Sequence, residues 1–350
     1  MIRPQKLPVA SPRGGNRGCL CPDGMYSRKC CDGSLPAQGI GALTGQGSTL
    51  VINSGEYEEE YYNILAVANS RGYELPSAAQ RAIDNQLVQS LKASGDWYEL
   101  DYLYMFANGS NSDLARINWI NPNHEAQEVG SIVYSATEGI KSDGASYYNT
   151  KFSPIRDAIK MTATSSSSGV WLTDSMSTSV VNEPYGILRN AGSTNVKPYK
   201  FGLNTNSGLA SGSGSAASAK TNASTFWSIA SVVGHLHFDI NPPATYDAGS
   251  LSYYSPSRSY LNGTLENTIQ RQLFGTLASN YQPTLPDNTK YEVYVAATAN
   301  VTFQSGSTEK FDTVAPSNFY QSYIALTYGG SGNVNAATLY SALNTYISSL

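Results

Sequence analysis

From about residue 97 to about residue 330, the sequence is divided into short apolar runs separated by Gly, Asn, Ser and Pro. Short runs rich in Tyr, Val and Ile are typical of β-strands, and turn residues at regular intervals between them are typical of a sandwich or barrel. The clearest runs are 97–106, 129–136, 226–240, 291–297 and 320–328. The pattern predicts a mainly β protein and excludes a helical bundle.

Two stretches beside this region have helical periodicity. Residues 77–94 begin with Ser77, a preferred N-cap residue, and Gln80 follows at the spacing of a capping box. Residues 335–350 begin with the N-cap candidate Asn335. Apolar residues recur on one face of each predicted helix, namely Ala79, Ile83, Leu87 and Leu91 in the first and Leu339, Leu343, Tyr346 and Leu350 in the second. A short third helix is predicted within 56–75.

The composition limits the classes of function. Only 14% of the residues are charged and the formal net charge is −4, so the chain lacks the basic character of a nucleic-acid-binding protein. No stretch approaches the roughly 18 apolar residues of a membrane span. Residues 1–8 carry positive charge but no apolar core, and therefore do not predict a secretory signal peptide. The surface is expected to be weakly charged and rich in Tyr, as in extracellular proteins, although no signal peptide is predicted. A virion protein would reconcile these two features, because it is made in a cytosol and released by lysis.

All four cysteines lie within a turn-rich segment and have the spacing C-x-C-x8-C-C. They are Cys19, Cys21, Cys30 and Cys31. Two disulfides, a structural zinc site and four free thiols are all compatible with the sequence, although zinc sites more often use C-x2-C pairs. Since no His lies nearby to activate a thiolate, each alternative is structural rather than catalytic.

The cysteine segment also carries a resemblance. GCLCPDGMYSRKCCDG at 18–33, followed by AQGIG at 37–41, resembles an N-terminal segment of structural proteins from tailed phages of Bacteroidetes hosts, the crAss-like phages among them. LDYLYMFA at 100–107, followed by INWINP at 117–122, is similar to the opening of their concanavalin A-like (laminin G-like) domains.

The end of the chain resembles the closing part of the same domain. YEVYVAA at 291–297, IALTYGG at 324–330 and the final helix are similar to its last strands and helix. The resemblance implies a concanavalin A-like jelly-roll β-sandwich with flanking helices at 75–350. An irregular Cys-rich arm at 1–74 would precede it and attach it to other virion proteins.

The resemblance further implies a non-enzymatic virion structural protein of the capsid, collar or tail. Its sandwich would be exposed on the released particle and would bind host or environmental glycans or other subunits. Virion proteins are usually symmetric assemblies, so we expect a homo-oligomer. The family supplies no catalytic residues, and no cofactor, nucleic-acid or membrane partner is expected.

The alternative is a glycan hydrolase or depolymerase on the same fold. Retaining hydrolases of this fold carry E-[IL]-D-x-x-E on one strand, which places two carboxylates on one face. Glu99, Leu100 and Asp101 match the first half, but Tyr104 stands where the second Glu is required. Without the acid/base partner we interpret Glu99 and Asp101 as solvated acids at a strand edge.

The remaining candidates have ordinary structural interpretations. His235, His237 and Asp239 share one face of a strand, but the sequence shows no further metal ligand, so half-buried strand histidines are the expected outcome. His124 lies in a polar turn and is expected to be exposed. Aromatic platforms for glycans are available, but each is more often core packing, so the glycan-binding residues stay unassigned. These aromatics are Tyr147, Tyr148, Trp171, Trp227, Tyr253, Tyr254 and Tyr260.

Overall fold

The structure is a computed structural model, which describes residues 19–20, 26–27, 56–162, 165–174, 184–189, 199–203, 233–240, 245–247, 252–272, 292–303, 311–317 and 319–350. The chain divides into two compact units, Met1–Val51 and Ile52–Leu350. In the first unit, the described residues form one antiparallel pair of short strands, β1 (Cys19–Leu20) and β2 (Tyr26–Ser27).

The second unit is mainly antiparallel β-sheet with few helices. Its described strands are β3 (Leu100–Met105), β4 (Gln127–Val129), β5 (Val133–Ser135), β6 (Gly139–Lys141), β7 (Tyr147–Asn149), β8 (Ser166–Leu172), β9 (Tyr185–Arg189), β10 (Tyr199–Leu203), β11 (Gly234–Ile240), β12 (Thr245–Asp247), β13 (Ser252–Leu261), β14 (Thr264–Gln272), β15 (Tyr294–Val295), β16 (Thr298–Phe303), β17 (Phe311–Ser317) and β18 (Ile324–Gly330). Its described helices are α1 (Glu59–Ser70), α2 (Ala78–Ser94), α3 (Ser112–Ala115), α4 (Pro154–Asp157) and α5 (Ala336–Ile347).

Within the described residues the strands form two large sheets. The seven-stranded sheet has the order β17-β16-β9-β15-β7-β4, and β10 also pairs with β9. The nine-stranded sheet has the order β12-β13-β11-β8-β18-β6-β5, with β14 beside β13 and β3 beside β18. All described pairings in the two sheets are antiparallel except that of β16 with β9. Strands such as β8 and β18 are neighbours in the sheet but far apart in the chain, so long connections cross between the sheets.

The two sheets share one hydrophobic core, as in a sandwich. Its buried side chains come from both sheets, for example Tyr102, Tyr104 and Phe238 from the nine-stranded sheet and Tyr148 and Tyr185 from the seven-stranded sheet. Hydrogen bonds also join the layers, since the Tyr185 hydroxyl donates to Ser168 Oγ at 2.9 Å. The core is therefore aromatic, and the Tyr104 hydroxyl also finds a partner across it, donating to Thr150 O at 3.0 Å.

The opposite face of the nine-stranded sheet is covered by a layer of helices. Side chains that alternate with the inward ones, such as Leu103, Met105 and Trp171, pack there against helices α1, α2 and α5. This double coverage explains why every residue of β3, β8 and β18 is buried. Among the described residues, no helix combines the length and the apolar character that crossing a bilayer requires.

The helix predictions are largely confirmed. Ser77 caps α2 by accepting from Gln80 N at 3.1 Å, and Gly95 ends it in the left-handed conformation, at a φ of 85°. Asn335 caps α5, whose Leu339, Leu343 and Tyr346 are buried. The face of α2 was predicted less well, because Ala79 is exposed and Ile83 only partly buried.

Polar side chains take part of the buried face of α2 instead. Asp84 accepts hydrogen bonds from Tyr61 Oη at 2.7 Å, Gln80 Nε2 at 2.8 Å and Tyr346 Oη at 3.1 Å. This one carboxylate thereby joins three parts of the helical layer. Helix α1 lies in the same layer and in the unit that begins at Ile52, whereas the sequence analysis placed residues 56–74 in the arm.

Candidate functional site

Asp101, on β3, organises the first wall of an open groove. Its carboxylate accepts three backbone hydrogen bonds, from Ile159 N at 2.7 Å, Lys160 N at 2.8 Å and Met161 N at 2.7 Å. A carboxylate that binds three successive amides holds their backbone in one conformation. The segment after α4 is therefore fixed against the start of β3.

The second wall is the turn at 118–124. Asn118 Oδ1 accepts from Leu103 N at 3.1 Å and Ile120 N at 3.0 Å, so the side chain of Asn118 joins the turn to β3. The turn is closed by His124 N, which donates to Asn121 O at 2.9 Å. These bonds present Asn121 and His124 at the rim of the groove.

The third wall is the short helix α4. Arg156 and Asp157 form an ion pair at 2.7 Å, and Arg156 also lies 3.5 Å from Glu292. The three walls enclose a volume of about 450 Å³, within the range of small-molecule sites. We call this site the polar groove, and its lining residues are Leu100, Asp101, Asn118, Ile120, Asn121, His124, Phe152, Arg156, Asp157, Ala158, Ile159 and Lys160.

Several groups in the polar groove remain unused by the fold. Asn118 is 1% exposed, and its Nδ2 has no hydrogen-bond partner in the described part of the chain. Ile159 is 84% exposed, so its aliphatic side chain is accessible from the solvent. The groove thus has an accessible apolar surface at its rim, whereas the unpaired amide nitrogen of Asn118 is buried in its wall.

The prediction that Glu99 and Asp101 are solvated acids is wrong for Asp101. It is only 8% exposed, because the amides of residues 159–161 replace its water shell. Glu99 is partly buried and accepts a hydrogen bond from Ser331 Oγ. Both carboxylates therefore have structural partners.

The second group of polar side chains lies on the helix-covered face of the nine-stranded sheet. Tyr328 Oη lies 2.8 Å from His235 Nε2 and 2.6 Å from His237 Nδ1. Asp239 Oδ2 lies 3.6 Å from His237 Nε2, and Asp239 Oδ1 accepts from Arg258 Nε at 2.7 Å. We call these five residues the histidine cluster.

One arrangement of protons satisfies these contacts. Burial, and then the proximity of His237, lower the pKa of His235 well below its usual value, so His235 is neutral. Burial raises the pKa of Tyr328, which keeps its proton. If Tyr328 donates to His237 Nδ1, His237 carries its proton on Nε2, facing Asp239, and His235 Nε2 donates to Tyr328.

The histidine cluster is enclosed rather than half-buried, which corrects the expectation for these histidines. His235 and His237 are 0% exposed. His235 stacks against Trp171, with centroids 5.9 Å apart, and against Tyr340 at 5.9 Å. The predicted shared face of His235, His237 and Asp239 is confirmed. In the described residues, no group of three or more His, Cys, Asp or Glu side chains could hold a metal ion.

The other sequence candidates divide into core, groove and undescribed positions. Tyr148 and Trp171 are buried in the two cores, as expected. His124 is half-buried and lines the groove, whereas an exposed position was predicted. Trp227 and the side chains of Tyr253 and Tyr254 lie outside the described residues.

The cysteine predictions also lie outside the described residues. Only the backbone of Cys19 is described, in β1, while Cys21, Cys30 and Cys31 are not. The alternatives of disulfide, zinc and free thiol therefore stay open.

Sequence reasoning missed the groove residues at 156–160. They lie in a short helix and an irregular segment, where no periodicity marks a function. A signal was nevertheless present at Asp101, since an acid inside an otherwise apolar strand needs donors from elsewhere in the chain.

Comparison with known proteins gives little beyond this geometry. No protein-family model matches the chain, and neither does any curated protein. Among solved structures, the chain is similar to domain 4 of a GH43 extracellular arabinanase from Geobacillus stearothermophilus, in complex with arabinotriose. The identity is 11%, the TM-score is 0.34, and the match covers 70% of this chain and 98% of that one.

Proposed function

We propose that this chain is a non-enzymatic virion structural protein of a tailed phage. Residues 1–74 would anchor it to capsid, collar or tail proteins, and the sandwich would be displayed on the released particle, where it binds glycans or other subunits. The proposed finer fold is a concanavalin A-like jelly roll. The resemblance of the segments at 18–41 and 97–350 supports this assignment.

The observation that carries the non-enzymatic part is the use of Asp101. A nucleophilic carboxylate must have a free oxygen directed at the substrate. Asp101 Oδ1 accepts from two amides and Oδ2 from a third, all at 2.7–2.8 Å. A carboxylate whose two oxygens both accept backbone hydrogen bonds positions a loop, and these bonds lower its nucleophilicity.

The direct test is the composition of the particle. Virions of the phage that encodes the chain would be purified on a density gradient and digested for mass spectrometry. We expect the chain at a constant ratio to other virion proteins across the particle peak. Recovery only from the soluble lysate would contradict the proposal.

A second test addresses the hydrolase alternative and the oligomeric state. The purified full chain would be incubated with a panel of polysaccharides, and new reducing ends would be measured. We expect no release above a heat-denatured control, and release above it would overturn the non-enzymatic proposal. Light scattering on the same sample should give the mass of a dimer or a larger oligomer, that is, two or more times the monomer mass of 37.5 kDa. A monomer would contradict self-assembly.

A further inference from the structure

We infer that the polar groove is a carbohydrate-binding site that prefers neutral oligosaccharides. This inference rests on the proposed function, which leaves the glycan-binding residues and the class of glycan unassigned. The inference assigns the glycan-binding residues and the class of glycan from the lining of the groove.

The first argument is the way in which the walls are held. Asn118 Oδ1 accepts from Leu103 N and Ile120 N, and the Asp101 carboxylate accepts from three backbone amides. These bonds fix two walls of the groove before any ligand binds, and Asn121 and His124 lie on the wall that Asn118 holds. A preformed site loses less free energy on binding than a site whose walls must first be ordered.

The second argument is the charge of the lining. Two carboxylates, Asp101 and Asp157, are balanced by two cations, Arg156 and Lys160. Asp157 is paired with Arg156 at 2.7 Å, and Asp101 accepts hydrogen bonds from three backbone amides. A groove with this balance has no strong net field, so it gives a polyanion little advantage over a neutral ligand.

The third argument is the mixture of surfaces. A sugar ring has hydroxyl groups around its edge and C–H groups on its faces, so its site needs hydrogen-bonding groups beside an apolar surface. Ile159, 84% exposed, supplies that apolar surface at the rim. Asn121 and His124 supply polar groups on the turn at 118–124, and the His124 ring has no partner among the described residues.

The test uses the full chain and two panels of oligosaccharides, three to five sugar units long. One panel contains neutral hexose and pentose oligomers, and the other contains uronic acid oligomers of matched length. Dissociation constants would be measured by isothermal titration calorimetry. We expect binding to at least one neutral oligomer and weaker binding to every acidic one.

The variant is Asn121→Ala combined with Lys160→Ala, which removes two exposed groups of the lining without touching the bonds that hold the walls. Loss of two hydrogen bonds should weaken binding roughly tenfold or more. The control is Asn123→Ala combined with Lys141→Ala, which changes the same residue types outside the lining and also removes the contact of Lys141 Nζ with the Tyr323 ring, 4.3 Å away. Both variants should melt within a few degrees of the wild type.

The outcomes separate this inference from the function on which it rests. Equal loss in the variant and the control, or no loss in either, would overturn the site while leaving glycan display intact. Preference for uronic acid oligomers would overturn the neutral class. Binding to no oligomer at all would overturn the inference, and the virion composition would still decide the proposed function.

Discussion

The histidine cluster and the polar groove both begin on strands of the nine-stranded sheet, but the fold uses their polar groups differently. In the cluster, Tyr328 Oη joins His235 and His237 beneath the helical layer, while His235 Nδ1 and His237 Nε2 have no hydrogen-bond partner among the described residues. In the groove, Asp101 and Asn118 hold the walls by accepting from backbone amides, and Asn121 and His124 line the rim. The comparison teaches that polar residues on central strands serve the fold, and that groups free to bind a ligand come from the segments these residues hold.

The largest loss of stability is expected from a substitution on β8, at the point where the histidine cluster contacts the backbone of this strand. An added Cβ at Gly169 would lie 2.2 Å from Tyr328 Oη and 2.3 Å from Cζ. Tyr328 is held between two histidines and cannot withdraw, so Gly169→Ala should lower the free energy of unfolding by about 3 kcal/mol. Urea denaturation would measure the loss.

A double-variant cycle tests the cause of that loss. Tyr328→Ala removes the ring that the new methyl group meets, at its own cost in stability. In that background, adding Gly169→Ala should cost less than about 1 kcal/mol. An equal cost in both backgrounds would mean that the ring does not lie over Gly169.

The next largest loss of stability is expected when the Tyr328 hydroxyl, which contacts both histidines, is removed. Tyr328→Phe leaves His235 Nε2 and His237 Nδ1 without their common partner in a fully buried site. We expect a loss of about 2 kcal/mol in the free energy of unfolding, since two buried nitrogens become unpaired. Tyr98→Phe is the control, because Tyr98 is 53% exposed, and it should change stability by less than about 0.5 kcal/mol.

A third enclosed polar group, Asp84 in the helical layer, should make the free energy of unfolding depend on pH. Burial raises its pKa from 3.8 to about 6, against the opposing effect of its three hydrogen bonds. Because the folded state holds the proton more tightly, Asp84 favours folding at low pH, and this contribution is lost as the pH rises through about 6. The loss between about pH 4.5 and 7 should be about 2 kcal/mol.

Asp84→Asn isolates this contribution. The neutral amide cannot titrate, so the variant should gain about 2 kcal/mol relative to the wild type over the same pH interval. Chemical denaturation at several pH values would measure the difference. Glu266→Gln, at an exposed position, should leave the pH dependence of the wild type unchanged. A parallel pH profile for Asp84→Asn would contradict the burial of a titrating carboxylate.

The same contrast explains what could be predicted from the sequence. Strand periodicity and the caps Ser77 and Asn335 identified the β-rich fold and two helices, because local patterns determine them. The shared face of His235 and His237 followed from alternation alone. Their complete burial did not, since it depends on helix α5, which brings Tyr340 from about 100 residues away in sequence.

The polar groove was beyond sequence reasoning for a related reason. Its walls meet because Asp101 binds amides about 58 to 60 residues away, and no spacing rule connects such positions. Asp101 was assessed against a hydrolase motif, which asks for a second carboxylate on the same strand. The donors that satisfy it are backbone groups, which leave no mark on residue identity.

The smallest effect on stability is expected at the rim of the groove. Ile159→Ala removes a side chain that is 84% exposed, so the free energy of unfolding should change by less than about 0.5 kcal/mol. Ile140→Ala, at a fully buried position of the sandwich core, should lose about 3 kcal/mol for the same deletion of atoms. Urea denaturation of both variants compares how much each isoleucine side chain contributes to the free energy of unfolding. A loss at Ile159 near that of Ile140 would mean that the side chain is covered in the native protein, and the groove would then lack the apolar surface on which carbohydrate binding depends.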